Sequence, residues 1–97
     1  MTLTPTTLYR LHTVSTKHDE VILEETSECF SSFTCYASSD FTQAHVNGLP
    51  PEQNDGLIIE IISQPSSTPL IKSLAESIQH LTKHPVVVTV QQLEILQ

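Results

Sequence analysis

Basic residues are scarce. Four Lys or Arg stand against eleven Asp or Glu in 97 residues, a formal net charge of −7. Such a surface repels phosphate backbones and anionic headgroups and lacks the attraction behind most non-specific nucleic-acid affinity, so nucleic acid and membrane are not expected as partners. Glycine is scarcer still: Gly48 and Gly56 are the only two, which excludes a glycine-rich loop cradling a phosphate. Cys29 and Cys35 are too few for a disulfide scaffold and do not make a zinc spacing by themselves. Both are expected to be reduced and buried, in a cytoplasmic protein. Long apolar runs are missing too. The longest, 57–59 and 85–88, fall far short of the ~20 residues a bilayer crossing needs, and no basic-then-apolar leader opens the chain. What remains is expected to be one soluble domain over residues 1–97, because 38% apolar content at this length fills one core and not two.

What is present is patterned. Residues 8–14 (LYRLHTV) follow a Pro- and Thr-rich leader and read as a first strand. Over 19–33, Ile22, Cys29, Phe30 and Phe33 recur at helical spacings, with Thr26 filling the stripe and Glu24, Glu25 and Glu28 opposite. Asp19 and Glu20 begin this helix, where carboxylates meet the positive end of its dipole. The acidic run is either a solvated face or a surface for a basic protein partner. Residues 33–38 (FTCYAS) suggest a second strand. The segment 39–56 holds Asp40, Asn47, Gly48, Pro50, Pro51, Asn54, Asp55 and Gly56, a density of turn formers that predicts a long irregular loop.

Residues 57–62 (LIIEII) are nearly all apolar and β-branched, which predicts a central strand. Thr68 before Pro69 reads as an N-cap ahead of proline at the first helical position, and Ile71, Leu74, Ala75, Ile78 and Leu81 then mark one helical face. His80, Lys83 and His84 complement the carbonyl end of that helix, and Pro85 stops it. Residues 86–90 (VVVTV) predict a second central strand, which the chain can carry on to Leu96. The order βαββαβ is that of an α+β, ferredoxin-like sandwich: two right-handed crossovers lay both helices on one face of a four-stranded antiparallel sheet. Since LIIEII and VVVTV are apolar on both sides of the pleat, the helix-free face is expected to pack against another subunit.

Few residues offer chemistry. Glu76, His80 and His84 share a helix face at a spacing that permits metal ligation, but histidines at a helix C-terminus serve equally as dipole partners, and no metal or cofactor is assigned. Cys35 with His45 has the composition of a thiolate and its base, against the plainer reading of a core cysteine. Glu60 interrupts LIIEII and Glu94 interrupts LEIL; each is either solvent-facing or paired across the sheet, with Arg10 or His12 as partners for Glu60. The segment 39–56 has few apolar anchors beyond Phe41, Val46 and Leu49, so its order is expected from a neighbouring subunit, a ligand, or its own folding back as a hairpin.

On its strand LYRLHTV, a helix ending near FSSF, a long loop, the strand LIIEII, and His84-Pro85 before a valine-rich strand, the chain resembles the PII-like and CutA-like trimeric proteins over residues 7–96. The resemblance implies a homotrimer whose sheets face inward, a regulatory role, and small-molecule sites for a nucleotide or adenosyl compound in the clefts between subunits. In such a cleft Tyr36 and Phe41 would stack on the ligand, His45 would hydrogen-bond to it, and Glu52 or Asp55 would supply charge. The run SSDFTQAH (38–45) is similar to one in phage enzymes that cleave S-adenosylmethionine. That likeness implies a lyase in which Glu52 or Asp55 is the catalytic carboxylate and His45 stands near an expected tyrosine. A third reading is an acidic inhibitor or anti-defence factor presenting residues 19–28 to a basic protein by charge complementarity.

Overall fold

The structure, a computed structural model, describes residues 1–43 and 52–96, with side chains for 1–37 and 55–96. The chain runs β1 (Leu3–Val14), α1 (Asp19–Cys29), β2 (Thr34–Gln43), β3 (Glu52–Ser63), a 3-10 turn (Pro65–Ser67), α2 (Thr68–Thr82) and β4 (Val87–Leu96). The four strands form one sheet in the order β2-β3-β1-β4 with every neighbouring pair antiparallel, which is the ferredoxin-like α+β arrangement.

Burial follows alternation. Tyr9 and Leu11 of β1 and Leu57, Ile59 and Ile61 of β3 point to one face, where Ile22 of α1 and Ile71, Leu74 and Ile78 of α2 close over them as a single apolar core. β1 starts earlier than expected and takes in Pro5, whose missing N–H is tolerated because β3 pairs only as far as Thr7, leaving residues 3–6 in register with β4 alone. The valine-rich segment was expected in the centre of the sheet. It is an edge, because β1 takes the position between β3 and β4, and Val87, Val88 and Val90 stay 37–56% exposed.

The first helix is shorter than its stripe suggested. Phe30 is extended (φ −135°, ψ 133°), its N–H bonded to the carbonyl of Thr26, so Cys29 ends the helix and is exposed rather than buried. Phe30 and Phe33 reach the core from beyond the helix end. Thr68 is not an N-cap either: the helix begins on it, and its hydroxyl bonds the Pro65 carbonyl at 2.9 Å and meets the Tyr9 hydroxyl at 2.9 Å. At the other end Lys83 takes the left-handed conformation (φ 61°) and its N–H closes on Gln79, ending α2 before Pro85.

Much of the segment expected to be irregular is strand. β2 and β3 continue their pairing to Gln43↔Glu52, with a register irregularity between Ser38 and Phe41. Turn formers such as Asp40, Asn54 and Asp55 are compatible with this arm because its pairing is carried by backbone groups, and a bulge absorbs the extra residue. Asn47, Gly48, Pro50 and Pro51 lie outside the described residues. The two-stranded arms β2–β3 and β1–β4 extend from opposite ends of the sheet, giving dimensions of 50 × 25 × 23 Å.

Candidate functional site

The helix-free face is organised in rows. Thr34, Glu60, Arg10 and Thr89 lie opposite one another across the four strands, and the next row holds Tyr36, Ile58, His12 and Val87. Ile62 and Leu8 make an apolar pair on the other side of the charged row. Arg10 Nε and Nη2 both donate to Glu60 Oε2, at 3.0 and 2.6 Å. The pairing of Glu60 with Arg10, left open by the sequence, is thus a direct cross-strand contact between β1 and β3. The hydrogen bond from Arg10 holds the Glu60 carboxyl below the ordinary carboxylate range, with Tyr36 and the charges of Arg10 and His12 acting in the same direction. The same bond raises the Arg10 guanidinium. Partial burial, reinforced by Glu60, pushes the Tyr36 hydroxyl up, so it remains a neutral donor beside the ion pair.

Arg10 is therefore committed to Glu60. Lys17, Lys72 and Lys83 are the other basic side chains, all exposed: Lys17 in the turn before α1, Lys72 on α2 and Lys83 at its end.

A concavity lies between α2 and the edge strand β4. It encloses about 390 Å³ and is lined by Tyr9, Ile71, Ala75, Val86, Val88 and Val90, with exposed Lys72, Glu76 and Gln79 alongside. Tyr9 closes its base by donating from its hydroxyl toward the carbonyls of Gln64 (3.1 Å) and Pro65 (3.3 Å). Sequence reasoning missed this groove; the only signal was a valine at every second position from 86 to 90, which reads equally as central-strand packing.

Of the residues selected from the sequence, Tyr36 stands on the helix-free face at 41% exposure, next to Arg10 and Glu60. Asp55 is exposed on β3, and its carbonyl accepts the Ser15 N–H at 2.7 Å, tying the arm to the turn before α1. Phe41 pairs with Asn54 and Glu52 with Gln43 along the arm, which places these positions farther out than Asp55. His45 lies outside the described residues. Cys35 is half-buried, and burial followed by the charge of Asp19 raises its thiol, the opposite of what an activated thiolate requires. Among the described residues no group of three His, Cys, Asp or Glu could hold a metal ion, Glu76, His80 and His84 included.

No family model matches the chain, and no curated protein matches it in sequence. Solved structures do match it in shape. A PII-like signaling protein from Thermus thermophilus superposes with a TM-score of 0.67 at 12% identity, over 99% of this chain and 94% of that one. The PII-like protein CPII of Thiomonas intermedia, bound to ADP, AMP and acetate, gives 0.64 at 19% identity, over 100% and 94%. A phage S-adenosylmethionine lyase in complex with S-methyl-5′-thioadenosine gives 0.70 at 11% identity, over 95% and 90%. Along nearly its whole length, then, the chain has the fold of the PII-like signaling proteins and of a phage S-adenosylmethionine lyase, and at these identities it is the fold that is shared.

Proposed function

We propose that this chain is a cytoplasmic small-molecule-binding module that assembles as a homotrimer through the helix-free face of its sheet and takes an adenosine-bearing ligand in the clefts between subunits. The observation carrying this reading is that chains of the same fold, matched over 95–100% of this one, hold ADP and AMP in one case and S-methyl-5′-thioadenosine in the other. Adenosine is the part these ligands share. In the proposed cleft Tyr36 and Phe41 stack on the base, His45 contributes a hydrogen bond, and Glu52 or Asp55 provides charge.

The electrostatics favour a particular kind of adenosine compound. Arg10 is occupied by Glu60, and the segment 39–56 contains no Lys or Arg, so little is left to neutralise a polyphosphate. An acidic cleft suits a sulfonium cation. This supports a second, enzymatic reading, cleavage of S-adenosylmethionine. There Glu52 or Asp55 removes a proton from the side-chain carbon next to the one bonded to sulfur; the C–H electron pair becomes a carbon–carbon double bond as the carbon–sulfur bond breaks, its pair passing to sulfur, and the products are S-methyl-5′-thioadenosine and an unsaturated amino acid.

Thermal unfolding with AMP, ADP, S-methyl-5′-thioadenosine and S-adenosylmethionine tests both readings. A ligand at about 100 times its dissociation constant stabilises the native state by about 2.7 kcal/mol, a rise of several degrees. The sulfur compounds are expected to shift the transition more than ADP. Consumption of S-adenosylmethionine distinguishes the lyase from a binding module. No shift with any of the four rejects the ligand reading and favours a protein-binding role for the exposed Glu20, Glu24 and Glu28 of α1. Unchanged affinity in a chain carrying both Glu52→Gln and Asp55→Asn excludes these acids as determinants.

A further inference from the structure

The helix-free face carries one imidazole among its described residues. His12, half-buried on β1, stands between Ile58 of β3 and Val87 of β4, with Tyr36 of β2 beyond Ile58 in the same row. The titratable or charged groups around it are Arg10 on its own strand, Glu60 on β3 and Tyr36 on β2, while β4 offers only Val87 and Thr89. Arg10 and Glu60 cancel through their 2.6 Å contact, and the Tyr36 hydroxyl is neutral. With a neutral imidazole the described face is uncharged overall. Protonation of His12 gives it one net positive charge; Glu60, the only described carboxylate there, attracts that charge but is already neutralised by Arg10.

We propose that His12 is a proton-controlled release for the assembly of copies of this chain: the neutral imidazole lets the faces be buried against one another, and the imidazolium separates them. This rests on the reading that the copies meet through this face. The occupant is a second copy because the described part of the face is neutral in a chain of net charge −7, so like copies can approach there without repulsion. Symmetry makes the response steep, since each copy brings its own His12 into the contact and an excess charge loses its hydration on burial. The rest of the molecule works in the opposite direction. Protonating the five histidines removes most of the formal negative charge, so acidification by itself favours self-association. Dissociation on acidification is therefore a specific signature of this face.

Sedimentation of the wild-type chain and of His12→Gln at about pH 8 and about pH 5.5 brackets the ordinary imidazole range. The wild type is expected to be assembled at the higher pH and to lose association by about tenfold or more at the lower, with native circular dichroism retained; His12→Gln is expected to stay assembled at both. Should the glutamine variant fail to fold, His12→Leu serves the same comparison. A wild-type mass unchanged by acid, loss of the fold at the lower pH, or dissociation of the variant alongside the wild type overturns the proposal for His12 alone. A single-chain mass at about pH 8 overturns the assembled-face reading as well.

Discussion

Tyr9 shows how one side chain joins two parts of the fold. Its ring is buried in the core at 1% exposure, while its hydroxyl reaches the carbonyls of Gln64 and Pro65 and the Thr68 hydroxyl, pinning the start of α2 to β1. Tyr9→Phe keeps the ring and strands these partners, so urea unfolding is expected to show a loss of about 1–3 kcal/mol with an unchanged slope. Glu60 makes a different prediction. Its carboxyl lies below its ordinary value of 4.5, so the Arg10 contact stabilises the fold above that value and the contribution is lost as pH falls through the lowered one. The stability gap between wild type and Glu60→Gln is expected to be widest near neutral pH and to close in acid; a gap independent of pH would mean that the ion pair does not contribute. The sequence named both candidate partners for Glu60. Choosing between Arg10 and His12 required the register, which sets Arg10 opposite Glu60 and His12 opposite Ile58.

At the scale of elements, legibility followed the strength of local signals. The second helix was readable because Ile71, Leu74 and Ile78 recur on one face and Pro69 opens it. Its end was not, because Pro85 marks only the last point at which a helix must stop, while a left-handed Lys83 stops it earlier. A side chain with a Cβ is strained in that region, so Lys83→Gly is expected to raise stability by about 0.5–1 kcal/mol, read as a higher urea midpoint. Lower stability would show that the lysine side chain makes a compensating contact. The first helix was overextended for a related reason: Phe30 and Phe33 fit its periodicity but reach the core from the turn that follows it. In the β2–β3 arm, turn-forming residues concealed strands whose pairing belongs to the backbone.

At the scale of the molecule, Ile62 (54% exposed), Val87 (54%) and Tyr36 (41%) surround a neutralised ion pair on a face no helix covers. If three copies meet there, Ile62→Asp places an unpaired carboxylate in the contact while leaving the core untouched, and it is expected to convert a three-chain particle into a folded single chain by sedimentation. An unchanged assembly in this variant, or a single-chain wild type at micromolar concentration, moves the interface elsewhere or removes it. Composition and periodicity by themselves determined the element order βαββαβ, the apolar face of the second helix and the shortage of cations, because these depend on neighbours close in sequence and on simple counts. The tertiary structure alone decided that the valine-rich strand is an edge, that a groove opens between it and α2, and that Arg10 is held by Glu60. Each of these depends on which strands pair and in what register, and those pairings join residues as far apart as Leu3 and Leu96.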